Sequence, residues 1–174
     1  MIRIGTSGFS YDDWKGHFYP QNLAKKDMLG YYARVFNTTE INSSYYNIPG
    51  EASFAGMARK TPDDFEFVVK AHKDMTHAQQ PDKNLFDIFL GSIGPLVDAG
   101  KFGCVLAQYP NGYRYSEENK DRLRQFRDWI GDTPTVIEFR NADWLNDDTF
   151  SLLRELNFGF CAVDEPQLRN MMPD

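Results

Sequence analysis

The chain is poor in the residues that build metal and disulfide chemistry, with two cysteines and three histidines in 174 residues. Cys104 and Cys161 sit inside apolar runs at no metal-ligand spacing. Buried free thiols in a reducing cytoplasm are therefore expected. His72 and His77 follow an apolar strand pattern and His17 lies among aromatics, an arrangement that argues against a zinc centre. No apolar run reaches the ~18 residues of a membrane span, and the first residues lack a signal-peptide layout. No Gly-x-Gly-x-x-Gly follows the first strand pattern, and Gly5-Thr-Ser-Gly-Phe9 has the wrong spacing for an esterase elbow. Positive charge is also short: 19 Lys and Arg stand against 25 Asp and Glu, a formal charge of -6. That balance disfavours bulk binding to nucleic acid or an anionic membrane and leaves room for a local basic pocket.

What is present is a globular composition, 41% hydrophobic and rich in aromatics at 15%. Its length suits one domain over 1–174. Strand patterns begin near residues 2, 38, 65, 103, 134 and 159, and run to Gly5, Asn42, Lys70, Gln108, Arg140 and Val163. Between them lie helical patterns from about Lys26 to Val35, Gly50 to Lys60, Asp82 to Val97, Ser116 to Ile130 and Asp147 to Leu156. The third has Leu85, Ile88, Phe89 and Ile93 on one side, with Gly94-Pro95 placed to kink or break it. Ser116 is a candidate N-cap, and Gly131 a candidate stop. Strands alternating with helices mean βα units and a parallel sheet.

The fold expectation is an α/β, TIM-type (β/α) barrel with about six of eight units present, preferred to a doubly wound sheet. The strand ends carry the preference. Glu40 and Asn42, Lys70 and His72, Gln108, Glu138 and Arg140, and Asp164 fall on matching faces of their strands. The opposite faces carry Ile41, Val69, Ala71, Val105, Ala107, Ile137 and Phe139, suited to packing under helices. In a barrel every strand end converges on one mouth. Six strands do not close an eight-stranded barrel, so the domain is expected to be incomplete towards Asn170–Asp174, with uncovered edges open to self-association.

Glu138 with Arg140 is the sharpest pair: a general acid or base beside an anion clamp, or an ion pair at the rim. Glu40 with Asn42 is an acid and amide of the same kind, or a loop-capping network. Lys70 can bind an anion, act as an amine nucleophile, or serve as counter-ion to a carboxylate. Asp164 is a further acid, or a turn-former before Pro166. No cofactor is expected, although Glu40, Glu138 and Asp164 offer an all-oxygen alternative for magnesium or manganese. Trp14, Tyr45, Tyr46 and Trp144 can stack on a ligand or pack as an aromatic lid. Thr6, Ser7 and Gly8 can present backbone N–H groups to an anion.

Taken in order, Gly5-Thr-Ser-Gly-Phe-Ser-Tyr11, Trp14 to Pro20, Phe36 to Tyr46, Phe67 to Ala71, Thr76-His77, Gln108-Tyr-Pro110 and Glu138-Phe-Arg140 with Trp144 resemble the YecE-like family, domain of unknown function 72. The resemblance spans nearly the whole chain. It implies a TIM barrel and no particular reaction. Its motifs map onto Glu40, Asn42, Tyr46, Lys70, His77, Gln108, Glu138 and Arg140. Phe9 stands where the family more often has tryptophan, and family members continue past this C-terminus. The expected function is an enzyme acting on a small polar or anionic substrate. Glu138 or Glu40 would be the acid or base, Arg140 and Lys70 would hold the anion, and the aromatic loops would exclude water. A non-catalytic binder of a phosphate-bearing or nucleic-acid ligand is the first alternative, and a divalent-metal hydrolase the second.

Overall fold

Strand β1 forms where the backbone can come close, and glycine sets that point. A Cβ on Gly5 would lie 2.0 Å from the carbonyl oxygen of Thr38, so only glycine allows the ladder to start there. The computed structural model describes residues 2–164 and 172. Its β1 is Gly5–Ser7, in register Gly5↔Thr38 to Ser7↔Glu40 with β2, Thr38–Ile41. This corrects the strand expected from Ile2 to Gly5. The N–H of Ile4 goes to the Asn37 side chain instead of a strand.

Among the described residues six strands form one parallel sheet in the order β1 to β6. The others are β3, Glu66–Lys70, β4, Phe102–Tyr109, β5, Thr135–Phe139, and β6, Gly159–Phe160. Helices intervene: α1 Met28–Tyr32, α2 Glu51–Arg59, α3 Lys73–Thr76, α4 Lys83–Asp98, α5 Glu117–Ile130 and α6 Asp147–Glu155. The α/β reading with a parallel sheet holds. The expected helix from Lys26 to Val35 is shorter, a 3-10 turn over Lys25–Asp27 followed by α1. Strand β6 is also shorter than the expected Gly159 to Val163, although Cys161 N still donates to Ile137 O at 2.9 Å. Pro166 and the segment from Asn170 to Met171 lie outside the described residues.

Caps explain where helices start and stop. Ser116 Oγ accepts from the N–H of Asn119, and Gly131 ends α5 at φ +62°, as the sequence predicts. Leu123, Phe126 and Ile130 are its buried face. In α4 the buried face is Phe86, Phe89, Ile93 and Leu96, and Ile88 is 52% exposed. Ile88 is thus removed from the expected apolar side, because the stripe follows spacings of three and four that omit it. Pro95 lies inside α4 without ending it.

The chain forms two compact units. The first, Met1–Lys70 with Gly91–Gly103, holds β1 to β3 and buries Met28, Tyr32, Ile41, Phe54, Phe67 and Val69. It also buries Lys101, whose ammonium donates to the carbonyls of Ala58 and Thr61, each at 2.7 Å. These are carbonyls at the end of α2 that the helix leaves unpaired. The second unit, Ala71–Leu90 with Cys104–Asp174, buries Val105, Ala107, Ile137 and Phe139 from its strands and Ala71 just past β3. The faces assigned to packing are therefore packed. Both cysteines are thiols outside any disulfide and are partly exposed, which corrects the expectation of buried thiols.

Candidate functional site

In the second unit the chemistry gathers at the end of β5. Strand alternation turns Ile137 and Phe139 into the core and Glu138 to the other face. Glu138 is nevertheless only 5% exposed. Arg140 Nη2 lies 2.6 Å from Glu138 Oε1, and the Arg140 side chain keeps 29% of its surface. The pair is an ionic contact whose angles do not make a hydrogen bond, for Oε1 is buried and accepts none. Cys161 Sγ stands 4.0 Å from Oε2, a weak donor contact. Gln108 is the register partner of Glu138 across the β4–β5 ladder, so the two share a face.

An aromatic stack fixes this end. The Trp144 ring lies 4.4 Å from Phe139 at 4° and 5.5 Å from Tyr113 at 11°. Its Nε1 donates to Tyr113 O at 2.6 Å. Asn141, 1% exposed, starts the turn that carries Trp144, since its Oδ1 accepts from Asp143 N and its Nδ2 donates to Asn111 O. Burial pushes the phenols of Tyr109 and Tyr113 well above their ordinary value.

In the first unit the ends of β1 and β2 form a second polar cluster. Ser7 Oγ donates to Glu40 Oε1 at 3.0 Å, in register, and Gly8 N donates to Glu40 O at 2.9 Å. Beside them is a cavity of about 370 Å³, lined by Phe9, Tyr11, Glu40, Asn42, Tyr46 and Met57 among others. Tyr46 is 71% exposed. At the end of β3, the Lys70 ammonium lies 5.2 Å from the centre of the Tyr45 ring, within reach of a cation–π attraction. Ser44 Oγ ties the ends of β2 and β3, lying 2.7 Å from Ile41 O and 2.6 Å from Lys70 O so that its one proton is shared between the two carbonyls.

The structure thus brings Glu138, Arg140 and Gln108 together in one unit, and Ser7, Glu40, Asn42 and Tyr46 in the other. The other residues singled out from the sequence sit in varied surroundings. Asp164 is exposed beyond β6. His77 follows α3, its Nδ1 2.8 Å from Thr76 Oγ1. Trp14 packs on Tyr11 at 4.8 Å and Phe18 at 5.6 Å. Trp144 has no exposed surface, so its rings meet protein on both faces. Sequence reasoning missed Asn141, Tyr113 and the approach of Cys161 to Glu138. The approach of Cys161 follows from the ladder pairing of Ile137 with Phe160, a register the sequence does not announce. Among the described residues no group of three or more His, Cys, Asp or Glu side chains is placed to hold a metal ion. No helix among them is long and apolar enough to cross a membrane.

Parallel strands with helices between them define an α/β protein. The chain belongs to the family described as protein of unknown function DUF72, whose model matches residues 3–173, and the motif resemblance is borne out. It is 30% identical to the UPF0759 protein YunF of Bacillus subtilis strain 168, covering 97% of this chain and 62% of that protein. A crystal structure of a DUF72 family protein from Thermotoga maritima matches with a TM-score of 0.89 and 36% identity, over 99% of this chain and 68% of that one. Another, from Enterococcus faecalis, matches with a TM-score of 0.86 and 28% identity, over 99% and 65%. The chain spans less than two thirds of the length of the curated relative it matches.

Proposed function

We propose that the chain's six βα units belong to a (β/α) barrel enzyme acting on a small polar or anionic substrate, with Glu138 as general acid or base and Arg140 as the anion clamp. The carrying observation is the state of the pair. Glu138 is nearly sealed from water, its Oε1 accepts no hydrogen bond, and the partly exposed Arg140 stands against it. Desolvation sharpens the dependence of a carboxylate on its immediate partners, which suits proton transfer. A partly exposed guanidinium suits a carboxylate or phosphate. The barrel is supported by the strand order, which runs from β1 to β6 without the reversal that marks a doubly wound sheet. Glu40, Asn42 and Tyr46, with Ser7 bonded to Glu40, are read as substrate-holding groups at their own cavity. The reading invokes no cofactor, and a cytoplasmic setting suits two thiols outside any disulfide.

Calorimetry with malonate and inorganic phosphate tests this reading. The wild-type protein should bind at least one of them weakly. Glu138→Gln, which removes the competing charge and keeps the shape, should tighten binding by about tenfold, or ~1.4 kcal/mol. Arg140→Ala should abolish it. Anion binding indifferent to both substitutions would leave Glu138 and Arg140 as a structural ion pair.

A further inference from the structure

The outer face of α1 carries a different kind of surface. Met28, Leu29 and Tyr32 turn into the core, which leaves Lys26, Asp27, Gly30 and Arg34 on the opposite side of the helical path. With Tyr31, and with Lys60 just past α2, they line a groove of about 460 Å³. Both walls belong to the first unit, and neither is a strand edge. Lys26, Arg34 and Lys60 are exposed, and none of the three is ion-paired among the described residues. Nearby cations behave otherwise, for Lys15 and Lys25 each lie 2.9 Å from the Asp12 carboxylate. The Lys60 ammonium donates to Lys26 O at 3.0 Å, which holds it against the start of α1 and uses one of its three protons. The Arg34 guanidinium stands 6.0 Å from the centre of the Tyr31 ring. At Gly30 a Cβ would meet only Lys60 O, at 3.6 Å, so the missing side chain keeps the floor of the groove open.

We infer that this groove binds a small anion carrying two or three linked phosphates. Three unpaired cations around one groove gather positive potential in a chain whose formal charge of -6 elsewhere repels an anion. Guanidinium and ammonium groups meet phosphate oxygens through charge-assisted hydrogen bonds. Lys26 and Arg34 stand eight residues apart on a helical path, about 12 Å along its axis. A single phosphate reaches one of them, and a short chain of phosphates reaches across. The volume is that of a small-molecule pocket, not of the extended surface that a protein partner needs. Where the phosphates are those of a nucleotide, the Tyr31 ring adds a face for the base. Phosphate binding here is independent of the catalytic reading of Glu138 and Arg140, which belong to the second unit.

Calorimetry with inorganic tripolyphosphate at low ionic strength, on the full chain, tests it. The wild-type protein should bind tripolyphosphate, whereas inorganic phosphate, which spans one cation, should not register at the groove. Binding should persist in an Arg140→Ala background, where the other anion site is removed. Lys26→Gln, Arg34→Gln and Lys60→Gln should each weaken it by about tenfold, and Asp27→Asn, which removes a like charge from the groove, should tighten it by about threefold. Lys83→Gln, the same change of charge outside the groove, should leave it unchanged, and circular dichroism should show every variant folded. Adenosine triphosphate bound more tightly than tripolyphosphate identifies a nucleotide as the ligand, and equal affinities identify free polyphosphate. A wild-type protein that ignores tripolyphosphate overturns the inference, including one that takes an acidic peptide in the groove. Folded groove variants with wild-type affinity, a Lys83→Gln variant weakened as much as they are, or binding lost with Arg140→Ala overturn it as well.

Discussion

The ends of β5 and β2 carry the same residue type in opposite surroundings. Glu138 is sealed to 5% exposure, with Arg140 against it and the Phe139–Trp144–Tyr113 stack beside it. Glu40 is half-buried, bonded by the exposed Ser7, and faces an open cavity. One carboxylate depends on what the protein puts beside it, and the other has water as an alternative partner. Packing should therefore govern the first site and scarcely touch the second. The hardest test of that contrast is Trp144→Ala. Removing a fully buried indole that stacks on two rings and caps Tyr113 O should cost about 3–5 kcal/mol. Urea unfolding of the variant against wild type measures it. A loss below about 1 kcal/mol would mean the site collapses around the gap, and that the stack does not hold the β5 end in place.

Much of the frame was legible in the sequence, for reasons that are local. Strand alternation located the packed faces of Ile41, Val69, Val105, Ala107, Ile137 and Phe139, all now buried. Ser116 and Gly131 marked α5 because capping chemistry is decided within four residues. Boundaries that depend on a neighbouring strand were not legible. Ile2 and Ile4 have strand character, but the ladder begins at Gly5, where Thr38 O leaves no room for a Cβ. The contact of Glu138 with Arg140 was readable from i, i+2 spacing. The contacts of Asn141 with Asn111, of Trp144 with Tyr113 and of Cys161 with Glu138 join segments at least 20 residues apart, and no local pattern announces them. Lys101 was missed for the same reason, as its ammonium meets carbonyls 40 and 43 residues away.

Alkaline titration sharpens the contrast between the units. In the first, burial and the neighbouring Tyr32 push the Tyr19 phenol from 10.0 up to about 12. In the second, burial pushes Tyr109 and Tyr113 well above their ordinary value, against the lowering pull of Arg122. A phenol whose folded-state value is raised keeps its proton when the unfolded chain would lose it. Its stabilisation is complete below 10.0 and is lost as pH rises towards the folded-state value. Stability should therefore fall as pH rises from about 10 towards about 12. Tyr113→Phe, which keeps the ring on Trp144, should flatten that fall while losing the hydrogen bond to Asn119 O. An equal slope in wild type and variant would show that Tyr113 does not contribute to the linkage.

The smallest effect should come from the β2 end. Ser7→Ala removes one exposed hydroxyl that donates to Glu40 Oε1 at 3.0 Å. Water replaces the donor at the same place, so the net loss should be no more than about 0.5 kcal/mol. The backbone bond from Gly8 N to Glu40 O stays, and it holds the strand end in register without the side chain. If the cavity beside Glu40 binds substrate, the same substitution should weaken ligand binding far more than it weakens the fold, because the hydroxyl orients the carboxylate. Urea unfolding and ligand titration on one preparation separate the two. A stability loss of about 2 kcal/mol or more would show that the β2 end is as desolvated as the β5 end, and the contrast between the two carboxylates would be gone.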